Sequence, residues 1–543
     1  PLDSVWIIRL SGRASCWQSL DDNRGGGIFV EAQTVTDQHE TILGPPGTGK
    51  TQTNSNRIRN CIEDGIDPNR IACVSFTRKA AAESRERVIR DWGIDEKDLP
   101  YFQTLHSLAY RAGGYSSDEV IGTKDLKVIG NEVGIPFGVY SKEVETDFDS
   151  LGVSVGDAYM NLYHLGRSRM IPLDEMYRLN GDYSIRFEQL IQLVKSYENY
   201  KRTYNKIDFT DMIENFINSD ICPDIEALFV DEAQDLSTLQ WSMVEVLRKI
   251  PRIQVFTGDD DQAIMGFQGA DVKAFLNATD KKTVLSKSYR VPGSIWRVAQ
   301  TISGRIGHRA SKIWHPKDQE GSIRYHQRMS DIPLEKGEWC ILARSNRLAD
   351  YYANELREEG WIYSRRGKPS IDPRTYQAIL DWELWCKGGV LPPEKIRNLY
   401  TFMKVEEGFS RGHGPRSKKL TLLDQEESYS MKYAKDNLGL LAQESMRWHQ
   451  ALGKVDLDSK NYILNALTRG DNVKRPRIKV STIHSMKGGE ADNIIVSPDL
   501  PYPAFQEYQV SPDTEHRVFY VAVTRAKESL HILPPISNRV YDL

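Results

Sequence analysis

The sequence predicts a multi-domain α/β protein built on parallel sheet, and three segments carry that prediction. The stretch "TILGPPGTGKTQT" (41–53) runs from a short β-like segment into a glycine loop, then into apolar residues at helical spacing (Ile58, Cys61, Ile62) that stop at Gly65. In "ALFVDEAQD" (227–235) four apolar residues precede two acids, the pattern of a parallel strand buried on both faces. The third, "IQVFTGDDDQAI" (253–264), repeats it, with Ile253, Val255 and Phe256 leading into Gly258 and three acids.

Length and composition bound the rest. At 543 residues the chain exceeds a single core, and roughly 150 residues per domain gives three or four domains. With 40% apolar and 27% charged residues it reads as globular, and no run approaches the roughly 20 apolar residues that span a bilayer. "PLDSVWIIRLSGRASCWQSL" has no basic lead-in or long apolar region, so no secretory leader is expected, and a start at Pro1 suggests a processed or altered beginning. The six cysteines stand singly, without metal-binding spacing, and read as reduced thiols of a cytoplasmic protein. A net charge of −4 means that a nucleic-acid partner must be held by local basic surface.

The first segment fits G-x-x-x-x-G-K-[ST] with Gly44, Gly49, Lys50 and Thr51 in register. Gly47 and Gly49 let backbone N–H groups turn toward phosphate oxygens, and the helix N-terminus adds its dipole. Lys50 is placed to neutralise the β- and γ-phosphates and the Thr51 hydroxyl to ligate Mg²⁺. Gly44, Pro45, Pro46, Gly47, Thr48, Gly49, Lys50, Thr51 and Gln52 form the candidate nucleotide-binding set.

Such a loop needs an acid at the end of a neighbouring strand. Asp231 is expected to hold Mg²⁺ through water, and Glu232 to orient and polarise the attacking water. If the strand ending at Gly258 lies beside the one ending at Asp231, Gln262 can reach the γ-phosphate and report its presence. Asp259, Asp260 and Asp261 are then expected to divide their work, some capping the next turn and some facing Mg²⁺-bound water.

With these in order, further segments resemble the UvrD/Rep/PcrA family of superfamily 1 DNA helicases, from about residue 41 to the C-terminus. "VSFTRKAAAESRERV" (74–88) is similar to the family's motif Ia, "TLHSLAYR" (104–111) to Ib, and "IDFTDMI" (207–213) to the segment before the Walker B strand. "KSYRVPGSI" (287–295) resembles motif IV, "VSTIHSMKGGEADNIIV" (480–496) motif V and "EHRVFYVAVTRAKESL" (515–530) motif VI. The resemblance implies two RecA-like P-loop NTPase domains with parallel sheets, each carrying a mainly helical inserted subdomain, with ATP and Mg²⁺ in the cleft between them.

It also implies residue roles. The first domain contributes Lys50, Thr51, Asp231, Glu232 and Gln262, and the second Arg290 and Arg525 as paired arginine fingers. An arginine delivered from a separate domain stabilises transition-state charge only when the cleft closes. Tyr289 stacks on adenine and Glu490 binds ribose in this reading. Phe76, Thr77, His106, Ser107, Phe267, Thr482 and His484 face single-stranded DNA, where hydroxyls and imidazoles hold phosphates and aromatic rings stack on bases.

About 180 residues separate the phosphate loop from the Walker B acids, so an insertion is expected. The expected organisation is 1–107 and 206–285 for the first RecA-like domain, with 108–205 inserted, and 286–375 and 476–543 for the second, with 376–475 inserted. Helices are expected around "AILDWELWCKGG" and "SMRWHQALG", and "RGHGPRSKK" (411–419) is a basic loop open to phosphates or solvent. The second insertion reads as short for the family, which puts its duplex contacts in doubt. Nothing after residue 530 reads as a nuclease.

Two departures stand out. The family's adenine-reading glutamine has no clear counterpart, Gln33 being the nearest. After Asp261-Gln262 the family's Tyr, Trp and Arg are replaced by Met265, Phe267 and Gln268, which predicts a weaker grip on bases.

The function expected is an ATP-dependent single-stranded DNA translocase and helicase, 3′ to 5′ by resemblance, acting on single strands and single/double-strand junctions in the cytoplasm of a bacterial or phage-infected cell. Repair or replication proteins are candidate partners, and no membrane is expected. The rivals are a 5′ to 3′ or RNA-directed superfamily 1 helicase, and a nucleotide-gated DNA-binding subunit of a larger complex.

Overall fold

A computed structural model describes residues 38–138, 154–180, 185–470 and 472–543. Two parallel sheets dominate it. The first comprises β1 (Gln38–Leu43), β2 (Ile71–Ser75), β3 (Phe102–Thr104), β4 (Ala227–Asp231), β5 (Ile253–Gly258) and β6 (Lys282–Val284), in the order β3-β2-β4-β5-β1-β6. Every pairing in it is parallel. All residues of β2, β4 and β5 are buried, as expected of largely apolar strands in the middle of a parallel sheet.

The second sheet contains β7 (Ser322–Tyr325), β8 (Trp339–Ala343), β9 (Tyr363–Arg365) and β10 (Lys368–Pro369). After a small antiparallel pair, β11 (Val390–Leu391) with β12 (Tyr429–Ser430), it is completed by β13 (Ile478–Thr482), β14 (Ala491–Val496) and β15 (Ala526–Ile532). Its order is β10-β9-β13-β8-β14-β15-β7, parallel except for the β9–β10 turn.

Each sheet is interrupted by a mainly helical segment with its own apolar core. In the first, Leu126, Ile129, Tyr159, Leu162, Leu190, Leu193 and Tyr197 pack together. It is tied to the sheet domain through Asp208, which caps the helix Phe209–Ser219 and receives Arg167 at 2.8 Å and Lys201 at 2.8 Å. In the second, Trp382, Trp385, Leu399, Tyr400, Phe409 and Ile463 form the centre. The helix expected around "AILDWELWCKGG" is Pro373–Cys386, whereas "SMRWHQALG" forms only the single turn Trp448–Ala451.

The carboxyl ends of β1, β2, β4 and β5 lie on one edge of the first sheet, where open α/β sheets bind their ligands. That edge collects Gly44, Phe76, Glu232 and Asp259, so the topology alone brings four separate motifs together. Because β5 pairs with β4 on one side and β1 on the other, the strand leading to Gln262 sits between the Walker B acids and the phosphate loop.

Candidate active site between the two sheets

The phosphate loop forms as its glycines require. Gly47 (φ 72°) and Gly49 (φ 82°) take left-handed backbone conformations that L side chains rarely adopt, and the helix Lys50–Glu63 begins directly after them. Lys50 donates from Nζ to the Gly44 carbonyl at 2.9 Å, which curls its ammonium over the loop. Thr48 donates to the Pro45 carbonyl at 2.8 Å and braces the turn from inside.

Segment 288–290 docks against this loop. Tyr289 N–H donates to the Gly47 carbonyl at 2.8 Å and Ser288 Oγ to the Pro46 carbonyl at 2.8 Å. A Cβ on Gly47 would come within 2.4 Å of Arg290 Cβ, so glycine is needed there for space as well as for conformation. Tyr289 is 75% exposed beside the loop, open to stacking on a flat ligand.

Asp231 and Glu232 stand at the end of β4 with different electrostatics. Burial and the adjacent Glu232 push the Asp231 carboxyl up to about 7, against the pull of Lys50. Burial also works against charge on Glu232, but Lys50, Lys487 and a 2.6 Å hydrogen bond from Gln234 Nε2 outweigh it and leave that carboxyl below its ordinary value. Glu232 takes a left-handed backbone (φ 50°), a strained conformation for a residue with a side chain. A buried carboxylate at Asp231 beside the half-buried Glu232 fits a divalent cation, and Thr51 and Asp231 are the residues that would hold Mg²⁺.

The three consecutive acids do something other than face a hydrated metal. Asp259 caps the following turn, accepting from Asp261 N–H at 3.2 Å, as expected of one of the three. All three, however, surround Lys312, a lysine with a fully buried side chain: its Nζ lies 3.0 Å from Asp259 Oδ1 and 2.9 Å from Asp261 Oδ2, and it also bonds Asp260. Arg309 Nε donates to Asp261 at 2.8 Å, and Ala310 N–H to Asp260 at 2.7 Å. The reason is electrostatic: three buried carboxylates at one strand end need resident counter-charge, and the segment following the helix Gly293–Ser303 supplies it. Met265, expected to face the moving strand, is instead buried in the apolar core of the second sheet domain.

Gln262 joins the two halves of the cleft. Its Nε2 donates to Asp259 Oδ2 at 2.6 Å, and its Oε1 accepts from Arg525 Nη2 at 2.6 Å. Arg525 immediately precedes β15 and is 2% exposed; burial, with repulsion from Arg290, pushes its guanidinium down to about 9. Arg290 reaches Glu490 at 2.7 Å, and Lys527 approaches the same carboxylate at 3.4 Å. Glu490, expected at a ribose, is therefore held in an ion pair with the arginine expected at phosphate. Sequence reasoning missed Lys487, which bonds both Asp235 oxygens and the Gln262 carbonyl at 2.6 Å each. It also missed Lys312, Arg309 and Gln234; the need of buried acids for cations was the one signal that could have pointed to them.

The residues expected at the strand are more varied in setting. Phe76 is half-buried between the cores of the two sheet domains, and Thr77 is exposed and caps the helix Arg78–Trp92. His106 meets Phe209 edge-on at 6.0 Å, and the Ser107 hydroxyl lies 2.9 Å from that of Thr104. Phe267 meets His484 edge-on at 5.5 Å, so a ring from each sheet domain closes this side of the cleft. Thr482 is fully buried and caps the next turn through Ser485 N–H at 3.2 Å. Gln33 lies outside the described residues. Among the described residues, no helix is long and apolar enough to cross a membrane.

Residues 30–268 match an AAA domain model, and residues 395–534 a UvrD-like helicase C-terminal domain model. A protein named ATP-dependent DNA helicase PcrA from Staphylococcus epidermidis is 24% identical over 325 residues, 55% of this chain and 43% of its own length. Its namesake from Staphylococcus aureus is 25% identical over 328 residues, with the same coverage. The match thus spans less than half the length of these relatives. A solved structure titled "The structure of PRRSV helicase" shares 11% identity, covering 92% of this chain and 53% of that one, at a TM-score of 0.33, too low to carry an argument. The two domain models in chain order, on an α/β fold of two parallel sheets, support a likeness of this chain to UvrD/PcrA-like superfamily 1 helicases.

Proposed function

We propose that the chain is an ATP- and Mg²⁺-dependent DNA translocase and helicase that moves along single strands 3′ to 5′. The observation that carries this reading is the bridge from Asp259 through Gln262 to Arg525, which links the nucleotide edge of the first sheet to an arginine of the second. A side chain hydrogen-bonded to both domains at the γ-phosphate position makes cleft closure depend on the state of the nucleotide.

In this reading Lys50 leaves the Gly44 carbonyl to neutralise phosphate, and Thr51 and Asp231 would hold Mg²⁺, which when bound would supply charge neutralisation of the transferred phosphoryl group. Glu232, ionised in its cationic surroundings, orients the attacking water and accepts its proton. Arg525 and Arg290 stabilise charge developing on the γ-phosphate, which requires Arg290 to exchange Glu490 for phosphate. Tyr289 stacks on adenine. Phe76, Thr77, His106, Ser107, Phe267 and His484 line the path of the strand, with buried Thr482 shaping the turn behind His484, and the relative movement of the two sheet domains shifts bases past them.

Unwinding of duplexes carrying a 3′ or a 5′ single-stranded tail, in DNA and in RNA, tests the proposal. A 3′-tailed DNA preference supports it, and a strict requirement for a 5′ tail or for RNA overturns it. Lys50→Ala is expected to abolish DNA-stimulated ATP hydrolysis.

A further inference from the structure

Two arginines near the end of the helix Val155–Arg169, in the first insertion, meet opposite fates. Arg167 is neutralised by Asp208, Asp211 and Glu214, all at 2.7 or 2.8 Å. Arg169 is half-buried yet forms no ion pair among the described residues. Its one hydrogen bond there runs from Nη2 to the Gly266 carbonyl at 2.8 Å. Burial lowers its affinity for a proton, opposed only by Glu507, whose carboxylate accepts from Thr514 Oγ at 3.1 Å.

Arg169 is held where it stands. The helix ends at Met170 in a left-handed conformation (φ 57°), and Met170 Sδ accepts from Ser242 Oγ at 3.3 Å. A Cβ on Gly269 would lie 3.3 Å from Arg169 Cγ, so the arginine stem packs directly on the turn 266–269. That turn carries Phe267, whose ring meets His484 across the cleft. An inserted helix therefore delivers to the turn that bears the aromatic ring a guanidinium with no ion pair among the described residues.

We propose that Arg169 binds a backbone phosphate of the single strand beside Phe267, so that the first insertion supplies the cation that this turn itself lacks. The proposal rests on the single-stranded-DNA reading above. A half-buried guanidinium is costly without an anion, and a phosphodiester matches its planar fork while the neighbouring ring takes the base. Gln268, the polar residue on the turn, carries no charge to do this. The first insertion then has a direct role in holding DNA, through the same turn that continues back to Gln262.

The test is equilibrium binding of a fluorescent oligodeoxythymidine to the full chain across a salt series. Arg169→Gln keeps a donor for the Gly266 carbonyl and removes the charge. It is expected to bind about five- to tenfold more weakly at low salt, with the slope of log affinity against log salt shallower by about 0.7, the share of one phosphate on a single strand. Arg169→Lys, which keeps the charge, is expected to retain the wild-type slope, and thermal midpoints establish that both variants are folded. Wild-type affinity and slope in a folded Arg169→Gln overturn the proposal while leaving the helicase reading intact. If Arg169→Gln does not fold, an Arg169→Lys protein with a slope reduced to the same extent overturns it as well. Failure of the wild-type protein to bind the oligonucleotide overturns the helicase reading, and this proposal with it.

Discussion

Arg525 Nη2 lies 2.6 Å from Gln262 Oε1, and the other end of the same amide lies 2.6 Å from Asp259 Oδ2. One side chain thus connects the strand-end acids of the first sheet to a buried arginine of the second. Arg525→Ala is expected to lower the turnover number for ATP about a thousandfold or more, while nucleotide affinity changes less than tenfold. Gln262→Ala should also lower turnover but uncouple it from DNA, so that adding oligonucleotide no longer stimulates hydrolysis. Steady-state kinetics with and without DNA, alongside nucleotide binding, check both; a Gln262→Ala enzyme stimulated as strongly as wild type would refute the second.

Lys312 is expected to be a major determinant of stability. Its ammonium is enclosed by Asp259, Asp260 and Asp261, so Lys312→Met would leave three buried carboxylates with Arg309 as the remaining side-chain cation in contact with them. Removing one partner of such a buried cluster costs about 3–5 kcal/mol. Urea unfolding of the domain containing the first sheet measures it, and a loss below about 1 kcal/mol would show that the acids take up protons instead.

Gly47→Ala is expected to separate segment 288–290 from the phosphate loop. The added Cβ meets Arg290 Cβ at 2.4 Å at a backbone of φ 72°, so steric clash and left-handed strain act together. The strain alone is worth about 1–2 kcal/mol. Nucleotide affinity should fall about tenfold or more, and Gly65→Ala, which also has a positive φ but nothing near its Cβ position, controls for strain without clash.

A pair of histidines at the far edge of the second sheet sets an acid limit on stability. His326 Nε2 and His531 Nδ1 are 2.8 Å apart in stacked rings, and His531 also contacts Ser529 Oγ at 2.9 Å. Burial, with His326 and Arg324 nearby, lowers His531 from its ordinary value of 6.5 to about 4. Between those values the unfolded chain binds the extra proton, so the contribution is complete above pH 6.5 and is lost as pH falls toward 4. The thermal midpoint should therefore decline on acidification through this window, and His531→Phe should flatten the decline.

Much of the nucleotide site was legible because its chemistry is local in sequence. Gly47, Gly49 and Lys50 belong to one loop after a short β-like segment, and Asp231 and Glu232 to one strand end after a continuous apolar run that fits a buried parallel strand. Even the neighbourhood of β4 and β5, a condition for Gln262 to act, could be anticipated. What escaped were partners distant in the chain. Lys312 lies 51 residues beyond Asp261, and Lys487 lies 252 residues from Asp235. Nothing in "SKIWHP" marks a buried lysine. The acid triad was misread for the same reason, since its counter-charges lie outside its own segment. Arg169 sits in an insertion read only as helical filling, and its setting depends on a turn 97 residues away.

The interleaving of the sheets also orders events on the ribosome. β1 finds its neighbours β5 and β6 by residue 284, and β2 meets β3 within a few tens of residues. β8 has no such early neighbour: both of its partners, β13 and β14, begin at Ile478 or later, after the whole second insertion has been made. Non-local pairing of this kind is slow, and nascent chains fold from the N-terminus onward. The second insertion, with its own apolar core, can gather while Trp339–Ala343 still waits. Synthesis interrupted before Ile478 would therefore release a chain with an unpaired apolar strand, open along both edges to pairing with other chains.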